Sequence, residues 1–114
     1  MKILIVDDNA DMIEMIQSFL PESFDEIREC IDGSEALECY KSFRPDWVLM
    51  DWEMKRVDGL AATSQILVNF PDANILLVTQ HNDPELATAA YEAGAKGFVL
   101  KDDLLKLRRL LLPR

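Results

Sequence analysis

Asp7 and Asp8 close the first apolar run of the chain, ILIV, and Asp51 closes another, WVLM. Thr79 follows ILLV, and Lys101 follows FVL. Three carboxylates, one hydroxyl and one ammonium thus stand directly after short apolar runs. If the fold gathers the three carboxylates, they repel one another and their pKa values rise. A hard cation relieves this. Mg²⁺ takes oxygen ligands, keeps several waters, and is usually held by one or two carboxylates plus phosphate oxygens, which suits such a cluster. An Asp carboxylate beside that metal is a nucleophile for phosphorus and gives an acyl phosphate. Asp51 is the best placed for this, with Asp7 and Asp8 as metal holders. The equatorial oxygens of a phosphoryl group in flight need neutralising, by the metal, the Lys101 ammonium and the Thr79 hydroxyl. Each residue has a plainer reading alone: Asp7-Asp8 as a helix cap, Asp51 as a turn residue, Thr79 as a strand-end hydrogen bonder, Lys101 as a solvated charge. Their coincidence at four strand ends carries the reading.

The apolar runs that must position them are Ile3–Val6, Trp47–Met50, Ile75–Val78 and Phe98–Leu100, with a weaker one at Ile27–Ile31. Each precedes a longer segment with helical spacing, giving five βα units. Runs apolar at every position suit strands covered on both faces, as in a parallel sheet between helix layers. Asp8 or Asn9 can cap a first helix with Met12, Ile16, Phe19 and Leu20 on one stripe, stopped by Pro21. A second starts near Asp32-Gly33-Ser34 and runs through Ala36, Leu37 and Tyr40 to Pro45. Asp58 can cap a third carrying Leu60, Ile66 and Leu67, and Asp83-Pro84 a fourth that ends at Gly94. The last helix is expected to begin at Asp102 and Asp103, with leucines at 104, 107, 110 and 111 and Arg108 and Arg109 near its end. The expectation is an α/β, doubly wound, three-layer (βα)5 domain. In such a sheet ligands bind beyond the carboxyl ends of the strands, where the strand order reverses.

At 114 residues the chain is expected to be a single domain over residues 1–114, with no output domain in this chain. Its net charge of −9 argues against direct nucleic-acid binding, which runs on Lys and Arg. The acidity is concentrated: residues 1–54 hold fourteen acids and four bases, and residues 55–114 hold seven and eight. Only four consecutive apolar residues precede Asp7, against the ~20 needed to span a bilayer, so no membrane and a cytoplasmic location are expected. Cys30 and Cys39 form no CxxC and have only His81 as a nitrogen partner, which supports packing rather than zinc or redox chemistry.

The segments ILIVDDN, DWVLMDWEMKRVDGL, ILLVTQ and GAKGFVLKD resemble the receiver domain of two-component response regulators, of the chemotaxis-regulator-like type, over essentially the whole chain. The resemblance implies a flavodoxin-like fold with strand order 2-1-3-4-5. It implies Asp51 as phosphoacceptor, with Asp7, Asp8, Asp51 and the Glu53 main-chain carbonyl holding Mg²⁺. Thr79 and Lys101 would contact the phosphoryl group, and Thr79 and Phe98 would form the switch. Glu53, Gln80 and His81 stand at positions that modify the site and the acyl phosphate's lifetime. The implied donor is a sensor histidine kinase or histidine phosphotransfer protein. The implied output is a change in the face made by the fourth helix, fifth strand and fifth helix, through which a homodimer could form. Such a domain is no conventional enzyme, but catalyses its own aspartyl phosphorylation and autodephosphorylation.

This sequence departs from the family's pattern where Lys55 follows Met54 in place of Pro, leaving the loop after Asp51 less constrained. Gln80 replaces a very small residue and could cover the site. Asp102 after Lys101 is a pattern similar to receivers attached to helix-turn-helix outputs. Lys55 and Gln80 motivate an alternative, a pseudo-receiver that docks a partner without phosphorylation. An Asp-nucleophile phosphatase would want a DxDx(T/V) pattern where this chain reads DDNAD. A flavin carrier would want a loop rich in Ser, Thr and Gly to cradle phosphate, which Asp7-Asp8 would repel.

Overall fold

The computed structural model describes residues 1–111. Its strands are β1 (Lys2–Val6), β2 (Glu26–Cys30), β3 (Trp47–Asp51), β4 (Ile75–Thr79) and β5 (Gly97–Leu100). Its α-helices are α1 (Ala10–Ser18), α2 (Ala36–Phe43), α3 (Gly59–Asn69), α4 (Pro84–Glu92) and α5 (Lys106–Leu111). All strand pairs are parallel and lie in the order β2-β1-β3-β4-β5. This is the flavodoxin-like (βα)5 architecture. The order reverses between β1 and β3, the two strands that end in the aspartates.

The alternation of side chains along each strand divides the core in two. Ile3, Ile5, Leu49, Leu76, Val78 and Val99 pack with Ile13 and Ile16 of α1 and Leu107 of α5. Leu4, Val6, Val48, Met50, Ile75 and Leu77 pack with Tyr40 of α2, Ala62 and Ile66 of α3, and Ala90 of α4. Burial on both faces explains why these strands read as unbroken apolar runs. Four of the five β2 residues are exposed, and Glu26, Arg28 and Glu29 make it a charged edge that resists pairing with another sheet.

Helix starts follow the capping residues with one decision the sequence left open. Asn9 caps α1, its Oδ1 accepting from the Met12 N–H at 3.1 Å. Asp8 is therefore not used as the cap. Asp58 and Asp83 cap α3 and α4, and Gly94 follows α4 with φ of 100°. The second helix opens as a 3₁₀ turn at Gly33–Glu35 before α2 proper. β2 is Glu26–Cys30 rather than the expected run to Ile31, which is 63% exposed. The last helix also begins later than expected. Asp103 donates its N–H to the Leu100 carbonyl and accepts the Lys106 N–H, so Asp102 and Asp103 lie in turns before α5. Both cysteines are free; Cys30 packs in the core with burial pushing its thiol up to about 12, and Cys39 packs beside that cluster.

Gly59 opens α3 directly against the end of β3. A Cβ there would sit 2.1 Å from the Asp51 carbonyl oxygen, and the Gly59 N–H bonds the Trp52 carbonyl at 2.8 Å. Gly59→Ala should therefore cost about 2 kcal/mol by forcing β3 and α3 apart, read as a lowered midpoint in chemical denaturation.

Candidate functional site

Asp7 follows β1, Asp51 ends β3 and Lys101 follows β5, and strand alternation puts all three on the α1/α5 face of the sheet. Lys101 reaches back across the carboxyl edge, with Nζ 2.9 Å from Asp51 Oδ1 and 3.5 Å from Asp7 Oδ2. Asp7 and Asp51 are 1% and 3% exposed, so this is a buried two-to-one ion cluster. Exposed Asp8 completes the acidic set: one carboxylate oxygen from each of Asp7, Asp8 and Asp51 lies within 4.8 Å of the others. Asp7 Oδ1 is spoken for by the Asn9 N–H at 2.9 Å, which points the other oxygen into the cluster.

One ammonium does not balance this charge. Burial pushes the Asp51 carboxyl up to about 6; the Lys101 contact opposes that, and the Asp7 charge reinforces it. Asp7 is also raised, chiefly by burial, against the pull of the Asn9 N–H and Lys101. Lys101 is held above its ordinary value despite burial, because Asp51 and Asp7 favour its charged form. Asp51 Oδ1 and Asp7 Oδ2 are buried, and among the described residues they have no partner besides the Lys101 ammonium at 2.9 and 3.5 Å. Oxygen-only donors, uncompensated negative charge and two buried carboxylate oxygens that share one ammonium together fit a hard divalent cation.

Thr79 ends β4 on the opposite face, beneath α2–α4, and is fully buried. Its hydroxyl donates to the Glu53 carboxylate, with Oε1 at 2.9 Å and Oε2 at 2.8 Å, and accepts the His81 N–H at 3.2 Å. Phe98 lies half-buried on that same face, edge-on to Trp52 with ring centroids 6.4 Å apart. The fold thus brings Asp7, Asp8, Asp51 and Lys101 into one cluster, and Thr79, Glu53 and the His81 backbone into another beside it. The Gln80 and His81 side chains are exposed, and Gln80 makes no hydrogen bond to either cluster among the described residues.

The loop after Asp51 runs close against the Asp32-Gly33 turn. Arg56 pairs with Asp32 at 3.3 Å, and a Cβ on Gly33 would lie 2.3 Å from the Val57 carbonyl oxygen. Two contacts lay beyond sequence reasoning: the Glu53 side chain on Thr79, and Trp52 on Phe98. Nothing in the spacing of Glu53 and Thr79 signals that pair, and the bulk of Trp52 next to Asp51 is the one signal that could have found the other.

The chain belongs to the receiver domains of response regulators: the family described as "Response regulator receiver domain" matches residues 3–111. Among its relatives, the uncharacterized transcriptional regulatory protein YhcZ of Bacillus subtilis is 35% identical over 96% of this chain and 54% of its own length. The chain thus spans about half of that regulator. The chemotaxis protein CheY of Halobacterium salinarum is 37% identical over 88% of this chain and 83% of its own length. A two-component response regulator of the LuxR family from Aurantimonas sp. SI85-9A1 superposes with a TM-score of 0.83 at 33% identity, covering 93% of this chain and 78% of that one. Receiver domains bind Mg²⁺ at an acidic pocket and are phosphorylated by histidine kinases. No helix among the described residues is long and apolar enough to cross a membrane.

The raised carboxyls give a pH dependence. A carboxyl whose folded pKa lies above its ordinary 3.8 is protonated earlier in the folded state, so stability falls as pH rises from there to about 6 and stays low above it. Without metal, Asp51→Asn should therefore be more stable than wild type by about 1–2 kcal/mol at pH 7. The difference should shrink towards pH 4, as measured by urea denaturation at both values.

Proposed function

We propose that this receiver accepts a phosphoryl group on Asp51. The observation that carries the proposal is Asp51 itself, buried at the end of β3 with Lys101 at 2.9 Å and Asp7 sharing the same ammonium. With its carboxyl at about 6, Asp51 is mostly ionised at neutral pH and free to attack. A carboxylate oxygen bonds to phosphorus, the phosphorus–nitrogen bond of a phosphohistidine breaks, and its electron pair returns to the imidazole. The product is an acyl phosphate. Lys101 follows the charge by pairing with a phosphoryl oxygen, and Thr79 offers its hydroxyl to another. Hydrolysis reverses the covalent state: water attacks phosphorus, inorganic phosphate departs and the Asp51 carboxylate is restored. The domain thereby catalyses its own phosphorylation and dephosphorylation.

Asp7, Asp8, Asp51 and the Glu53 main-chain carbonyl are the proposed Mg²⁺ holders. When bound, the cation neutralises phosphoryl oxygens. The buried oxygens of Asp7 and Asp51, which share a single ammonium, and the approach of Asp8 to within 4.8 Å support this assignment. The donor is a sensor histidine kinase or histidine phosphotransfer protein in the cytoplasm. The responding surface is α4–β5–α5, which serves partner docking or homodimerisation and not nucleic acid. Its link to the site is Thr79 and Phe98, which lie on the face that α4 covers. Glu53, Gln80 and His81 adjust the acyl phosphate's lifetime. Residues 1–114 act together as this one receiver.

Incubation with phosphoramidate or acetyl phosphate and Mg²⁺ should add one phosphoryl group by intact mass, and Asp51→Asn should add none. Labelling of that variant would move the acceptor elsewhere. No uptake from either small donor or from a phosphohistidine protein would favour the docking module instead.

Millimolar Mg²⁺ should also raise the melting temperature of the unphosphorylated protein by linkage. That rise should be lost in Asp8→Ala, whose side chain is exposed and whose fold should survive the change.

A further inference from the structure

A hydroxyl has one proton to donate, and Thr79 has committed its own. A carboxylate only accepts, so the short contacts to Glu53 fix the direction of the bond, and the His81 N–H takes up acceptor capacity on Thr79 Oγ1. A hydrogen bond to an ionised acceptor is roughly twice as strong as one between neutral groups. None of these contacts reaches Asp51 or Lys101. Before the hydroxyl can serve a phosphoryl oxygen on Asp51, its bond to Glu53 must break. Two acceptors compete for one proton.

We infer that Glu53 is a positioning residue whose carboxylate holds Thr79 in the unphosphorylated arrangement and yields it to the phosphoryl group. The inference rests on Asp51 being the acceptor. It gives the Glu53 side chain a role separate from that of its main-chain carbonyl. The backbone explains the placement. Beyond Asp51 the Trp52 N–H still bonds the Val78 carbonyl at 2.9 Å, so the chain follows β4 for one further residue and delivers Glu53 to Thr79. The return of the loop is fixed by the Gly59 N–H on the Trp52 carbonyl.

The incoming group changes the balance in two ways. Its negative charge repels the Glu53 carboxylate, and its oxygens are new acceptors for the hydroxyl. The latch therefore opens in the course of phosphoryl transfer, at the stage where the hydroxyl is needed. Without it, Thr79 samples the inward position beforehand, a shift in an existing population rather than a new state. Removing the Glu53 carboxylate should speed uptake, and it should do so only where Thr79 has a hydroxyl to release.

The experiment has two arms. In metal-free, unphosphorylated protein, denaturation of wild type, Glu53→Ala, Thr79→Val and the double variant forms a mutant cycle. The pair should be non-additive by at least about fivefold in the folding equilibrium constant. In the second arm, phosphoryl uptake from phosphoramidate with Mg²⁺ is timed by intact mass. Glu53→Ala should accelerate it at least about fivefold when Thr79 is intact and not at all in the Thr79→Val background. Glu53→Gln keeps an acceptor oxygen without the charge and should fall between wild type and Glu53→Ala. Additive stabilities, or equal acceleration in both backgrounds, overturn the inference, because Glu53 then acts through charge alone. A wild type that takes up no phosphoryl group refutes the proposed function instead, and the stability coupling then decides the latch.

Discussion

Two carboxylates buried around one ammonium are the constraint on which the rest of this structure depends. Asp7 and Asp51 are almost fully withdrawn from water, and among the described residues Lys101 alone stands against them. Isolated buried charges are costly unless paired and hydrogen-bonded, and here the pairing is incomplete. A tightly packed sheet must therefore hold the cluster in place. The central strands supply that support, with residues at or near zero exposure along β1, β3 and β4. The stability of the hydrophobic layers offsets an electrostatic deficit at their edge.

The sheet also sorts the site by face. Asp7, Asp51 and Lys101 emerge on the side of α1 and α5, and Thr79 and Phe98 on the side of α2–α4. The two groups meet only at the carboxyl edge, where Glu53 and Trp52 turn over the end of β4. The acidic cluster and the Thr79–Phe98 group are thus kept apart by a single layer of backbone and joined by a short loop. The packing of that loop against Gly33 and the Asp32–Arg56 pair gives it a defined course without a proline.

Much of this was legible in the residues. Unbroken apolar runs gave the buried strands, and Asp58, Asp83-Pro84 and Gly94 gave helix boundaries that depend on local backbone chemistry alone. The strand-end positions of Asp7, Asp8, Asp51, Thr79 and Lys101 followed from the same runs. Acidic residues favour a helix start and so point to α5 beginning at Asp102, yet Asp103 here closes a turn with Leu100. The choice between Asp8 and Asn9 as cap turned on orientation, since both side chains are chemically able. The Thr79–Glu53 bond was invisible for a further reason: it depends on a strand pairing that runs one residue past the end of β3, a tertiary detail without periodicity.

The division of the site between faces has an evolutionary consequence. Residues of α1 can change while the packing under α4 stays as it is, and the surface over α4 can change while the acidic cluster stays intact. Only the few residues at the carboxyl edge answer to both faces. Change on the two faces can therefore proceed as nearly independent searches, with Glu53, Trp52 and Thr79 as the narrow strip of sequence where they must agree.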